Sequence, residues 1–306
     1  MIATLVIGGN ALLLFGTLFR PQIIGLYVVL PYYICITLIS SPQRDFGWAW
    51  KRFSQNFFVL AVLRKFLGIH LVINESLAEA QAKEKAQFVF AVFPHGANAD
   101  YSGVINGMLY DSLPNIAART RTLVATILFR IPMVREISLW MGCVDARRDV
   151  ADRLLEKNYS LVVLPGGQVE QIRTTHGRER IFLKRRKGFI RLALKHGVPV
   201  VPVYAFGVSD YYHTSHFAMG FRRWLLKKMG ISIPIARGLY GTLISPLPVP
   251  TTVVFGEPIH FSIMKPGAPT HEEIEMAHAV YCEGLVDLFE THKTALGYGD
   301  RLLEIE

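Results

Sequence analysis

Two corners of the chain combine reactive side chains with backbone able to turn sharply. The first reads Phe93-Pro94-His95-Gly96-Ala97-Asn98-Ala99-Asp100, which spaces a histidine and an aspartate as H-x4-D. On a continuous helix five residues turn through about 500°, so the pair can meet only if His95 lies in a loop and Asp100 opens a helix. Pro94 fixes one φ and Gly96 permits unusual φ/ψ, so such a loop can form here. A histidine oriented by a carboxylate is a tuned general base, neutral near pH 7 and able to take the proton of a hydroxyl. The same residues also fit a loop histidine whose hydrogen bonds are merely satisfied.

The second corner is Leu164-Pro165-Gly166-Gly167-Gln168-Val169-Glu170, directly after an apolar run. Paired glycines let backbone N–H groups come close to a phosphate or a developing oxyanion, although a plain tight turn uses them as well. From Arg173 to Lys195 the chain then carries nine Lys/Arg against one acid, Glu179. This tract is a solvated face or a site for a polyanion. Arg185 and Arg186 beside Ile181, Phe182, Leu183 and Phe189 suit an anionic ligand with an apolar tail, or an anionic membrane surface. The chain as a whole has 33 Lys+Arg against 24 Asp+Glu, a formal net charge of +9. That balance favours anionic partners. Nucleic acid is disfavoured, because the aromatics lie in apolar runs and no nucleic-acid motif is present. His213-Thr214-Ser215-His216 has no acidic or Cys ligand at a useful spacing, so no metal site is read. Cys35, Cys143 and Cys282 are too few for a disulfide scaffold.

The elements that must hold these corners alternate. Apolar, β-rich runs at 87–93, 160–164, 198–204 and 251–255 read as strands, and residues 148–158, 187–196 and 271–292 as helices. Alternation of this kind predicts an α/β domain over 44–306 with a central, mostly parallel sheet, whose strand ends collect the functional groups. Residues 1–43 differ, with Arg20 their one charged side chain. Apolar runs at 2–19 and 23–39 each approach the ~20 residues that cross a bilayer, and Arg20-Pro21-Gln22 separates them. A transmembrane helical hairpin over 1–43 is therefore expected. The flank of Arg44, Lys51, Arg52, Arg64 and Lys65 would stay cytosolic. Phe46, Trp50, Phe53 and Phe57 fall on one helical face, which suits a membrane interface and core packing equally.

Seven motifs occur in order: Phe93-Pro94-His95-Gly96, Pro165-Gly166-Gly167-Gln168-Val169-Glu170, Arg185-Arg186-Lys187-Gly188-Phe189 and Pro202-Val203-Tyr204-Ala205-Phe206-Gly207, then Ala236-Arg237-Gly238, Val254-Phe255-Gly256-Glu257-Pro258-Ile259 and Leu288-Phe289-Glu290-Thr291-His292-Lys293. Together they resemble the type 2 diacylglycerol acyltransferase family, which includes monoacylglycerol and wax-alcohol acyltransferases. The likeness covers about residues 44–306, and the N-terminal apolar region resembles that family's membrane anchor. It implies a glycerolipid-acyltransferase-like domain and transfer of an acyl group from acyl-CoA, a co-substrate, to the hydroxyl of a neutral lipid, foremost diacylglycerol. The place implied is the cytosolic face of the endoplasmic reticulum and lipid droplets, with no cofactor or metal. His95 matches the family's motif histidine and Glu170 its Gly-Gly-x-x-Glu acid. Phe93 stands where many members have a second histidine. Asp100 is instead similar to the H-x4-D of glycerol-phosphate acyltransferases. The catalytic candidates are thus His95, Asp100 and Glu170, with Pro94, Gly96, Gly166, Gly167, Arg147, Arg148, Arg186 and Lys187 as substrate-binding candidates. Two other readings stay open: acylation of monoacylglycerol, a long-chain alcohol or a lysophosphatidate-type acceptor, and a non-catalytic lipid-droplet or membrane binding protein.

Overall fold

The computed structural model describes residues 21–38, 41–82, 86–230, 232–242, 245–261 and 267–306. In chain order its strands are β1 (His70–Ile73), β2 (Val89–Phe93), β3 (Thr120–Val124), β4 (Cys143–Asp145), β5 (Ser160–Val163) and β6 (Glu179–Ile181). There follow β7 (Val200–Phe206), β8 (His213–Thr214), β9 (Ala236–Arg237), β10 (Thr252–Phe255) and β11 (Leu303–Ile305). Seven of them form one sheet in the order β1-β10-β7-β2-β5-β3-β4. β7, β2, β5, β3 and β4 run parallel, whereas β10 lies antiparallel to β7 and carries β1 at the edge.

The helices that matter below are α1 (Lys51–Asn56), α2 (Phe58–Phe66), α3 (Asp100–Ser112), α4 (Arg148–Glu156), α5 (Gly167–Arg173), α6 (Gly188–His196), α7 (Met219–Met229) and α8 (His271–Lys293). Every side chain of β2 is buried because the sheet is covered on both faces. Successive residues alternate sides: Val89, Ala91 and Phe93 pack with Leu154, Ile190 and Tyr281 of α4, α6 and α8, while Phe90 and Val92 pack with Val104 and Met108 of α3. The periodicity of α4 holds, with Val150, Leu154 and Leu155 inside. Helix α6 stops where Gly197 takes φ +65°. β2 and β5 are neighbours with Val89 opposite Leu161, so the loops leaving their C-terminal ends must emerge side by side. Both reactive corners are those loops.

The N-terminal half of the expected fold is corrected. Among the described residues no helix is long and apolar enough to cross a membrane, so the transmembrane hairpin is not supported. The run at 2–19 lies outside the described residues. The second run is described as short pieces, helical over Pro21–Ile24 and Leu30–Leu38 with a wider π turn at Gly25–Val29 between them. Two of its three tyrosines turn to polar partners on the body: Tyr32 donates to the Glu136 carboxylate at 3.0 Å and Tyr33 to the Arg130 carbonyl at 2.8 Å. The aromatic face at 46–57 also resolves. Phe53 is buried and packs its ring 4.6 Å from Phe57 and 5.1 Å from Trp140, so the face packs on the protein at Phe53, while Trp50 stays exposed.

Strand β11 pairs with β6 and returns the end of the chain to the basic tract. Leu183 and Lys184 donate their N–H groups to the Glu306 carbonyl at 2.9 and 2.8 Å. Beneath this pairing the Glu179 carboxylate is buried and accepts from Arg301 at 2.7 Å, Tyr204 Oη at 2.8 Å and Ser209 Oγ at 2.9 Å. Arg301 also pairs with Asp210 at 2.8 Å. Removing one partner of a buried pair leaves a charge with no counter-ion, which costs about 3–5 kcal/mol. Arg301→Ala is expected to lose that much in urea unfolding at neutral pH, and adding Glu179→Gln to recover part of it. A loss below ~1 kcal/mol, the worth of an exposed pair, would show that the clamp carries no weight.

Candidate active site

The peptide between Phe93 and Pro94 is cis, and His95 follows at the mouth of β2. Three groups fix this loop. Tyr101, in the first turn of α3, donates its hydroxyl to the Pro94 carbonyl at 2.6 Å. The His95 N–H donates to Oε1 of Glu170. Gly96 adopts φ +72°, and a Cβ there would come within 2.7 Å of Val208 Cγ1, so only glycine fits. The imidazole sits mostly inside the protein, and burial holds its pKa below the ordinary 6.5. Its Nδ1 lies 3.2 Å from the Gly96 carbonyl. A carbonyl can only accept, so this contact selects the tautomer with the proton on Nδ1 and a free lone pair on Nε2.

Glu170 stands in α5, one strand over, and is buried. Its Oε1 takes the His95 amide and its Oε2 the Phe182 amide, the latter at 2.9 Å. Loss of water pushes this carboxyl up to about 7, against the pull of those two N–H groups and of Arg186. Gly166 makes the position possible, because a Cβ on it would overlap the carboxylate and lie 2.8 Å from the Glu170 Cβ. Gly167, at φ +51°, borders open space, and its own N–H is spent on the Leu164 carbonyl at 3.1 Å. Arg186 donates to the Gly166 carbonyl at 3.2 Å and lies over the Phe182 ring.

The two carboxylates therefore stand differently from the sequence expectation. Asp100 does open α3, but its Oδ2 accepts from Tyr212 at 2.7 Å, and burial raises its pKa to about 6. Glu170 reaches the backbone of His95 rather than the ring. The group on the ring is a peptide carbonyl.

The structure brings together Pro94, His95, Gly96, Gly166, Gly167, Glu170 and Arg186. Others stand apart. Arg147 and Arg148 follow β4, three strands from β2, which is about 14 Å along the sheet edge. Arg147 pairs with Asp149 at 3.0 Å, and Lys187 is tied to Glu275 of α8. Cys143 is buried, its thiol pushed up to about 12, so it stays protonated and unreactive. Tyr101, Val208 and Tyr212 complete the site unforeseen, since nothing in their local pattern sets them apart from core aromatics and aliphatics, and Phe182, noted only as an apolar neighbour of Arg186, contributes its amide. Among the described residues no cluster of His, Cys, Asp or Glu could hold a metal ion.

A family profile for diacylglycerol acyltransferase matches residues 13–306. The chain is 33% identical over 276 residues to diacylglycerol O-acyltransferase 2 of Mus musculus, covering 84% of this chain and 68% of that protein. The protein of the same name from Bos taurus is likewise 33% identical, with 84% and 73% covered. Diacylglycerol O-acyltransferase 1 of Eremothecium gossypii is 31% identical, with 78% and 54% covered.

The raised carboxyl of Glu170 has a consequence for stability. Its folded pKa of about 7 lies above the ordinary 4.5, so its contribution is intact below pH 4.5 and is lost as pH rises through 7. Asp100 adds a smaller term of the same sign. Glu170→Gln removes the titration and is expected to flatten the decline by about 3 kcal/mol between those limits, read from urea unfolding across pH. An unchanged slope would mean that Glu170 is ionised at no cost in the folded chain.

Proposed function

The chain belongs to the diacylglycerol acyltransferase family, and from that premise we propose that His95 is the general base of its reaction. The protein transfers an acyl group to the hydroxyl of diacylglycerol, giving triacylglycerol. In our reading the donor is acyl-CoA. Nε2 of His95 takes the hydroxyl proton while the oxygen bonds to the thioester carbonyl carbon. The tetrahedral adduct collapses, the C–S bond breaks, and the departing CoA sulfur receives the proton from the imidazolium. No acyl-enzyme forms. The observation that carries this reading is the imidazole itself: Nδ1 against the Gly96 carbonyl, Nε2 unencumbered, and burial keeping the ring neutral.

Glu170 is a positioning residue here, holding the backbone of His95. With the Gly167 amide committed to Leu164, the Gly166 amide is the candidate for the developing oxyanion. Arg186 is the cation nearest the glycine corner and the first candidate for the CoA phosphates, with Arg147, Arg148 and Lys187 further out. Residues 44–306 make up the acyltransferase domain in this assignment. Its place is the endoplasmic reticulum membrane with the site facing the cytosol, in keeping with a lipid acceptor and a lipid product.

His95→Ala is expected to lower transfer of a labelled acyl group to diacylglycerol about 100- to 10,000-fold, with the folded state kept. Retention of activity would remove His95 as the base. Because Asp100 is bonded to Tyr212, Asp100→Asn is expected to leave the acid limb of the pH–rate profile in place. A limb displaced by a full pH unit would show that Asp100 acts on the imidazole after all.

A further inference from the structure

Five of the nine cations of the basic tract at 173–195 are held in ion pairs. Arg173 pairs with Glu306, Arg178 and Arg180 with Glu304, Lys187 with Glu275 and Lys195 with Asp152. A second basic segment has no such compensation. Residues 217–240 hold five Lys/Arg and no acid, and among the described residues no carboxylate pairs with Arg223, Lys227 or Lys228 of α7. The same segment exposes apolar side chains: Phe217 is 77%, Trp224 53% and Tyr240 90% exposed, with Phe221, Met229 and Ile233 also open to solvent. At 100° per residue the outward face of α7 centres on Trp224. Phe221 and Lys228 flank it on one side, Lys227 and Arg223 on the other. The Phe221 and Trp224 rings stack at 5.8 Å on this face.

The inward side is firmly held. Arg222 is buried, and its guanidinium donates to the Ile233 carbonyl at 2.7 Å and the Ser215 carbonyl at 2.9 Å. Gln168 of α5 donates to the Gly230 carbonyl at 3.1 Å, and Ser232 donates to the Gln168 carbonyl at 3.4 Å. The exposed face is thus fastened to the helix that carries Glu170.

We propose that α7 with its flanking residues Phe217 and Tyr240 is a docking surface for an anionic lipid bilayer. Uncompensated cations call for an anionic partner. Aromatic and aliphatic side chains exposed between them call for one with an apolar interior beneath its charge, and a bilayer has both. For its purpose the surface rests on the acyl-transfer reading above: bilayer contact at α7 brings α5 and its Gly-Gly corner to the phase where the acceptor dissolves. Its existence is tested separately.

The test uses the full chain with phosphatidylcholine vesicles, with and without phosphatidylserine, carrying bromine-labelled acyl chains that quench tryptophan at the interface. Wild type is expected to be quenched more than Trp224→Phe, which isolates Trp224 from the other three tryptophans. Lys227→Gln/Lys228→Gln is expected to raise the phosphatidylserine-vesicle concentration for half-maximal quenching of Trp224 about thirtyfold, from two lost surface charges. Equal quenching of wild type and Trp224→Phe would overturn the proposal. So would concentration-dependent self-association abolished by Phe221→Ser/Trp224→Ser, because the face would then meet a second copy. Quenching of Trp224 in a wild-type chain without acyl transfer would keep the docking surface and sink the acyl-transfer reading instead.

Discussion

One buried carboxylate ties the parts of the candidate site together. Glu170 accepts the amide of His95 with one oxygen and the amide of Phe182 with the other. It thereby joins the loop after β2, the glycine corner after β5 and the basic tract beyond α5. An exposed carboxylate could not do this, since water would compete for both N–H groups. A buried one can, but it gives up solvation, which is why its pKa stands near 7. The glycine at 166 follows from the same constraint. Its missing side chain leaves the volume that the carboxylate occupies, so its first role is steric.

The second tie reaches the same loop from further along the chain. Glu306 takes the amides of Leu183 and Lys184 through its carbonyl, while Arg173 and Arg180 take its side chain. Phe182, whose amide Glu170 holds, lies immediately before those residues. Its ring is covered by the guanidinium groups of Arg173 and Arg186 at 4.9 and 5.1 Å. Part of the charge of the tract is thus spent on internal order. Arg186 donates to the Gly166 carbonyl and so ties the tract to the glycine corner.

Much of this was legible beforehand, for physical reasons. The runs 87–93, 160–164, 198–204 and 251–255 stand out because central strands buried on both faces must be apolar throughout, and their ends located both corners. β1, β3 and β4 did not stand out. β1 alternates exposed and half-buried residues, β4 has only three residues, and β3 includes Arg121, whose buried guanidinium is satisfied by the Phe46 carbonyl at 2.6 Å. His95 could be named from its type and Glu170 from the family resemblance, but not their relation, because a side chain bonded to a backbone amide leaves no pairing pattern in sequence. Apolar composition misled over 23–39, because it does not register where a helix breaks: the segment forms short pieces, Pro21–Ile24 and Leu30–Leu38, with a π turn at Gly25–Val29 between them.

In the proposed reaction, the nature of the group on Nδ1 sets what kind of base His95 would be. A carboxylate there would fix the tautomer and also stabilise the imidazolium with a full charge. The Gly96 carbonyl fixes the tautomer but offers only a dipole, and burial disfavours the cation further. The result is a ring that is reliably neutral and only moderately basic. Such a base suits a reaction in which the electrophile does most of the activating. A thioester is that electrophile: its thiol leaving group has a pKa near ~8.5, so its departure needs little assistance. What the base must supply is a proton acceptor at a fixed place when the hydroxyl attacks. The ties from Tyr101 to the Pro94 carbonyl and from Glu170 to the His95 amide meet that demand. The protein invests in the position of His95 rather than in its strength.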